Sequence, residues 1–475
     1  MEPLPVEAVA QAVGGTIAAG DPRAVVHGVS TDSRTVEPGQ LFIPLAGPRF
    51  DGHDFVPMAA ARGAAAALIQ RGRPLPPLGD RAVIVVDDPL AALHRLARWY
   101  RDRLPARVVA VTGSNGKTTT KDMAAAILSA RWATRKSEGN YNNEVGLPLA
   151  ILAAPADVEA LVLEMGMRGP GQIRQLAAIA RPDVGVVTNV GPVHLELLGS
   201  LERIALAKQE LVEALPRDGW AVLNGDDPRV RAMARRCAGQ VLLYGVETGS
   251  KAPGAGLDLW ASAVESRGLD GIAFTLHWQG QSARVTVPVP GRHQVYNALA
   301  AAGAALALGG DLEGVVQGLA AFAHHASAMR LEIRRRADGV RVINDAYNAS
   351  PASMAAALVL LREVHGARRV AVLGDMLELG PWSEAAHEEV GRQAAEAGVD
   401  WLVAVGQWRA TVIAAAVAAG LPAERTAACP DAAAAADRVA ALVEPGDVVL
   451  IKASRGLALE RVAQRLLGDG EEGPR

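Results

Sequence analysis

The apolar run Val108–Thr112 passes directly into Gly113-Ser114-Asn115-Gly116-Lys117-Thr118-Thr119-Thr120, and an alanine-rich helical pattern follows. A buried strand, a glycine-bearing turn and a helix, in that order, constrain the fold more than any other feature of the chain. The two glycines let successive backbone N–H groups turn inward around a phosphate, and the helix start adds the positive end of its dipole. Lys117 supplies a mobile charge for the terminal phosphates of a nucleotide, and Thr118 a hydroxyl for Mg2+. Val111 stands where the general phosphate-loop pattern carries its first glycine. The bland alternative is a glycine-rich turn with a chance lysine, and the strand–loop–helix setting disfavours it.

The alternation extends on both sides. Ala160–Glu164, Val184–Asn189 and Trp220–Asn224 read as strands, with helices near Gly171–Ala180 and Ile204–Leu215 between them, so a parallel sheet covered by helices is expected. Gly271–Trp278 and Ala283–Val289 flank Gln279-Gly280-Gln281 as an antiparallel hairpin, and a long helix follows over about Gln294–Leu308. Strands resume at Val340–Asn344, Arg369–Gly374, Trp401–Val405 and Asp447–Lys452. Upstream, Val25–Val29, Leu41–Pro44 and Ala82–Val86 read as strands and Ala59–Gln70 as a helix, while Asp88 and Pro89 open a helix to about Arg103. A chain of 475 residues exceeds one core. Three α/β domains are expected: a small N-terminal unit over 1–86, a central phosphate-loop ATPase-type parallel sheet over 87–327, and a C-terminal Rossmann-like unit over 328–475.

Composition narrows the classes. Half the residues are hydrophobic, 21% are charged and the net charge is -3, so a globular protein is expected and nucleic acid is disfavoured as partner. Cys237 and Cys429 lie far apart without metal spacing and read as free thiols in a reducing cytoplasm. The N-terminus lacks a signal-peptide pattern, and the alanine-rich stretches are too short or too interrupted to span a membrane. A cytoplasmic monomer is the expectation.

Other residues gain meaning from position. Glu164 ends a hydrophobic strand, where an open sheet places its ligand, and is a candidate Mg2+ ligand. Asn140, Asn142 and Asn143 offer amide donors and acceptors to a sugar or peptide, or cap a helix. The pair Asp226-Asp227 suits a turn and a cap. His293 and Asn297 stand four apart on one helix face. His194 and Lys208, taken alone, are a loop histidine and a helix-surface lysine.

The run Thr112–Thr119 resembles the shortened phosphate loop of the superfamily of Mur ligases and folylpolyglutamate synthetases. Further matches follow in order: Asn140–Pro148, Leu161–Gly166, Asn189–Glu196, Ala207–Glu210, Pro290–Ala298, Asp345–Pro351, Leu373–Gly380 and Ile451–Gly456. In the last of these Ala453 replaces the usual glycine. The resemblance implies that Lys208 is carbamylated and, with His194 and Glu164, binds metal. It implies that Gly113–Thr119, His293, Asn297, Arg330 and Asp345 hold ATP, with Arg330 on phosphate and Asp345 on the ribose. Gly28–Arg34 resembles the segment that opens the uridine site, which implicates Ser30, Asp32, Ser33 and Arg34.

Among family members, Asp345–Pro351 and Leu373–Gly380 point to the one that adds D-alanyl-D-alanine to UDP-N-acetylmuramoyl-tripeptide through an acyl phosphate. The specificity strings of the sister ligases are missing. The rivals are such a sister ligase, a nonenzymatic nucleotide-binding paralogue, and a phosphate-loop nucleotide kinase with extra domains. No general base stands out.

Overall fold

The computed structural model describes residues 1–47, 50–193, 195–247, 254, 256–322, 327, 329–364 and 368–468. Three α/β domains are built on three mixed sheets. In the largest, the strands run in the spatial order Gln281–Val287, Ile272–Trp278, Leu259–Ser266, Gln240–Val246, Trp220–Asn224, Val184–Val187, Arg107–Thr112, Ala160–Glu164 and Thr134–Lys136. Pairings are parallel from Thr134–Lys136 across to Leu259–Ser266, and the hairpin then adds two antiparallel strands. The chain leaves Arg107–Thr112 to lay strands first on one side and then on the other. The phosphate loop therefore sits at the switch point of the sheet, where the open ends of the strands leave a crevice.

The C-terminal sheet orders Glu332–Arg335, Arg341–Asp345, Val448–Lys452, Arg369–Gly374, Trp401–Val405 and Thr426–Cys429, parallel except at its first strand. The N-terminal sheet orders Thr16–Ala19, Ala82–Val86, Ala66–Gln70, Leu41–Phe42 and Val29–Ser30. Its core is continuous with that of the central domain: Val6, Leu41 and Ile84 belong to one apolar cluster with Leu93, Val108 and Leu161.

Two upstream expectations are corrected. The helix expected over Ala59–Gln70 is a short helix, Val56–Ala61, followed by the strand Ala66–Gln70. Gly63, at φ 99°, turns the chain out of the helix. The strand is buried between Leu41–Phe42 and Ala82–Val86, and burial on both faces outweighs the helix preference of alanine. The single strand expected over Val25–Val29 is two: Val25–Val26 pairs with Leu4–Pro5, and Val29–Ser30 with Leu41–Phe42.

Elsewhere the expected elements stand. Asp88 accepts the N–H groups of Leu90 and Ala91 and caps Pro89–Arg101. The alanine-rich helix Gln294–Ala307 packs on the phosphate-loop helix Lys117–Ser129. Both cysteines are free thiols. Among the described residues no helix is long and apolar enough to cross a membrane. The tail 469–475 lies outside the described residues.

Candidate active site

One cleft of about 2060 Å³ runs between the central and C-terminal sheets. At its floor, Gly113 (φ 150°) and Gly116 (φ 82°) shape the phosphate loop. Neither tolerates a side chain: a Cβ on Gly113 collides with Thr188 Oγ1, and one on Gly116 with Asn297 Oδ1. The loop is buttressed by the segment after the neighbouring strand. Asn115 N–H donates to Asn189 Oδ1 (2.9 Å), Asn115 C=O accepts from Thr188 Oγ1 (2.7 Å), and Ser114 Oγ donates to the Gly191 carbonyl (3.0 Å). Lys117 folds back over the loop, its Nζ donating to the carbonyls of Gly113 (2.9 Å) and Ser114 (3.1 Å). Burial lowers its pKa, with Arg330 adding to the shift and Glu164 opposing it.

Thr118 Oγ1 donates to Glu164 Oε2 (2.6 Å), and Asn142 Nδ2 to Glu164 Oε1 (2.8 Å). A hydroxyl and a carboxylate, both buried and meeting beside the phosphate loop, are hard oxygen donors that fit Mg2+. Among the described residues no group of three or more His, Cys, Asp and Glu side chains gathers to hold a metal. The fit is therefore to a cation that takes most of its ligands from phosphate and water. Lys208, on the helix Leu201–Glu213, lines the same cleft at 2% exposure. Burial first, and the Lys117 charge second, push its amine well below the ordinary lysine range, favouring the uncharged form.

The far wall comes from two domains. His293 immediately precedes the helix Gln294–Ala307, and burial lowers its pKa to about 4 against the pull of Asp345. Asn297, one turn on, underlies Gly116 and donates to Gln294 Oε1 (2.9 Å). From the C-terminal domain, the Arg330 guanidinium lies 4.0 Å from the Tyr347 ring centroid. The Asp345 carboxylate is held by Lys452 Nζ (2.5 Å) and the Leu331 N–H (3.2 Å).

Of the sequence candidates, Gly113–Thr119, Asn140, Asn142, Asn143, Glu164, Lys208, His293, Asn297, Arg330 and Asp345 all line this cleft. Asn143 Oδ1 also accepts the Gly146 N–H (2.8 Å) at the start of the helix Gly146–Leu152. Ser30, Asp32, Ser33 and Arg34 do not line it. They form a separate turn in the N-terminal domain, where Ser30 Oγ donates to the Asp32 carbonyl (3.0 Å) and Arg34 grips the Asp32 carboxylate through two nitrogens. That grip and the Arg34 N–H hold the Asp32 pKa at about 2. His194 lies outside the described residues, next to Val193, which lines the cleft. Asp227 caps the helix Pro228–Ala232 and accepts the Val190 N–H (2.8 Å), while Asp226 accepts from Tyr296 Oη (3.1 Å).

Sequence reasoning missed a buried charge cluster. Asp122 accepts from Lys136 Nζ (2.7 Å), and from Ser327 N–H (2.9 Å) and Oγ (2.7 Å), with Lys121 Nζ at 3.2 Å. Two adjacent charges, Lys121 and Asp122, immediately before the apolar run Met123–Leu128 were the available signal. It also missed the bond from Ser350 Oγ, in the C-terminal domain, to Asn115 Oδ1 in the phosphate loop (2.9 Å).

A phosphate loop at the switch point, oxygen donors beside it and a second α/β domain over it define a multidomain nucleotide-binding protein of the phosphate-loop class. Family models agree along the chain: Mur ligase family catalytic domain over residues 25–101, Mur ligase middle domain over 111–305, and Mur ligase glutamate ligase domain over 329–455. The chain belongs to the Mur ligase family. It is 40% identical to the UDP-N-acetylmuramoyl-tripeptide--D-alanyl-D-alanine ligase of Bacillus subtilis over 466 residues, 97% of this chain and 98% of the relative. Its fold is similar to the crystal structure of MurF from Acinetobacter baumannii (TM-score 0.87, 32% identity, 98% of this chain and 99% of that one). It is similar as well to MurF ligase from Thermotoga maritima in complex with ADP (TM-score 0.78, 31% identity, 93% and 97%).

Proposed function

We infer that the chain ligates D-alanyl-D-alanine to UDP-N-acetylmuramoyl-tripeptide with ATP, giving the UDP-muramoyl-pentapeptide precursor of peptidoglycan. One observation carries the reading. The 40% identity to the Bacillus subtilis ligase spans nearly the whole chain, and the phosphate loop, Glu164 and Lys208 stay assembled around one cleft.

A carboxylate is a poor electrophile at neutral pH, so the chemistry has two stages. A terminal carboxylate oxygen of the tripeptide attacks the γ-phosphorus of ATP. The bond to the β–γ bridging oxygen breaks, and ADP leaves with that electron pair, giving an acyl phosphate. The dipeptide amine then attacks the activated carbonyl carbon. The tetrahedral intermediate expels inorganic phosphate, and the nitrogen loses its proton. Lys117 and the N–H groups of Gly113–Thr119 face charge on the moving phosphoryl in a partly water-excluded cleft. Thr118 and Glu164 would hold one Mg2+, and His194 with a carbamylated Lys208 a second, and the bound ions supply positive charge to the phosphate oxygens. An uncharged Lys208 amine suits carbamylation, in which its nitrogen bonds the carbon of CO2 and releases a proton.

Arg330 takes phosphate through its donor fork, Asp345 the ribose hydroxyls, and His293 and Asn297 the adenine side. The N-terminal domain, over 1–86, takes the UDP end through Ser30, Asp32, Ser33 and Arg34. Their place outside the ATP cleft suits a substrate long enough to span two domains. The central domain, over 87–327, and the C-terminal domain, over 328–475, close on the nucleotide and exclude water. One chain carries the whole cleft, so a monomer suffices, and we place it in the cytoplasm, where ATP is supplied.

Phosphate release from ATP tests the reading, measured with UDP-N-acetylmuramoyl-tripeptide in the presence and absence of D-alanyl-D-alanine. Release that requires both, with a UDP-pentapeptide by mass, supports it. Release with a single amino acid and a shorter UDP-peptide transfers the chain to a sister activity, and no turnover with any acceptor leaves a nonenzymatic nucleotide binder.

A further inference from the structure

The strand Arg369–Gly374 opens into the irregular loop 375–380, and Leu377, Glu378 and Leu379 of that loop line the cleft. Its central-domain neighbours lie beyond the ends of the strands that flank the phosphate loop. Arg168 pairs with Glu378 at 3.6 Å, and Glu196 packs beside Gly380. The loop therefore faces the part of the cleft past Glu164, away from His293 and Asn297. Its backbone is strained: Glu378, a non-glycine residue, adopts φ 63°. Such a conformation persists only where the surroundings over-determine it.

The restraints can be named. The Asp375 carboxylate accepts the N–H groups of Gln407 (2.7 Å) and Trp408 (3.0 Å), and Leu377 N–H donates to Ser454 Oγ (3.0 Å). The Met376 N–H, between them, donates to Nε2 of His387 (2.9 Å). His387 is 1% exposed on the helix Ser383–Glu396. Its Nδ1–H donates to the Ser383 carbonyl (2.6 Å), because a carbonyl can only accept, and this leaves Nε2 as the acceptor. The Trp408 ring stacks on the imidazole (centroids 5.4 Å apart, 17° between planes), which fixes its orientation. Both ring nitrogens are committed, so the histidine is a neutral spacer of defined tautomer.

We propose that His387 is a positioning residue that sets the loop 375–380 against the acceptor end of the cleft and thereby controls affinity for the incoming dipeptide. The proposal rests on the ligase reading above. Replacing the ring by an apolar side chain leaves the buried Met376 N–H without an acceptor, whereas a glutamine oxygen can reach the place of Nε2. The expected pattern follows. His387→Leu raises KM for D-alanyl-D-alanine about tenfold or more, and leaves KM for ATP and for the UDP-tripeptide within about twofold. His387→Gln restores the dipeptide KM to within about threefold of wild type. Ser454→Ala, which frees the next N–H of the same loop, gives the same selective rise and serves if the leucine variant does not fold. Equal dipeptide KM values for wild type, leucine and glutamine variants overturn the role of His387, as does a parallel rise in all three KM values. Wild-type protein that turns over no dipeptide sinks the ligase reading and this proposal together.

Discussion

Asp122 offers the sharpest test of what holds the phosphate-loop helix within the central domain. Its carboxylate is 1% exposed, and it neutralises Lys136 and the fully buried Lys121 while accepting two bonds from Ser327. Asp122→Asn keeps the shape and one acceptor oxygen but removes the charge and turns an amide donor toward the ammonium groups. Breaking a buried pair by deleting one partner costs about 3–5 kcal/mol. Ser327→Ala, by contrast, loses one hydroxyl bond, about 1 kcal/mol. With a urea m-value of about 2–3 kcal/mol/M, the asparagine variant shifts the unfolding midpoint down by roughly 1–2 M and the alanine variant by less than about 0.5 M. Trp132 and Trp220 pack against the central core, so tryptophan fluorescence follows the transition in the relevant domain. An asparagine variant no less stable than Ser327→Ala refutes the reasoning, because it means that the buried Lys121 tolerates its site without this carboxylate.

Three other outcomes are expected. Lys117→Met lowers the rate of phosphate release about 10²–10³-fold without lowering the melting temperature, and a loss under tenfold contradicts its phosphoryl role. Gly116→Ala places a methyl against Asn297 in a backbone region that costs an L-residue about 1–2 kcal/mol. Titration calorimetry should show ADP binding about tenfold weaker or worse, and unchanged affinity counts against the loop geometry. His293 titrates near 4 in the folded chain against an ordinary 6.5, so between those values the unfolded chain binds the extra proton. Acidification through that window therefore destabilises the native state, and His293→Gln, which has no proton to bind, flattens the slope of stability against pH. Identical slopes for the two proteins refute the shift.

What the sequence disclosed was local chemistry carried on regular elements. The phosphate loop was readable because glycine, lysine and threonine occupy fixed offsets between a strand and a helix, and Gly113 and Gly116 are residues for which no other side chain fits. The placement of Glu164 beside that loop was readable from its position at a strand end. The strand Ala66–Gln70 was not, because alanine favours a helix in isolation and only its two neighbouring strands reverse that preference. The strands Gln240–Val246 and Leu259–Ser266 were likewise passed over, and the parallel sheet extends further toward the hairpin than the alternation suggested.

The harder loss was the set of contacts between segments far apart in the chain. Asn115 and Ser350 are 235 positions apart and Asp122 and Ser327 are 205 apart, and neither bond has a periodic or compositional trace. The first ties the C-terminal domain to the phosphate loop, and the second ties the end of the central domain to the helix that follows the loop. The Ser350 bond has a physical reason that emerges only in three dimensions. Ser350 caps the helix Pro351–Glu363, accepting the Ser353 N–H, and its hydroxyl is thereby held over the phosphate loop. The loop proposed to grip phosphate is thus touched by the same domain that supplies Arg330 and Asp345. If that proposal holds, domain contact and nucleotide placement share atoms, and a substitution at this contact should act on turnover as well as on stability.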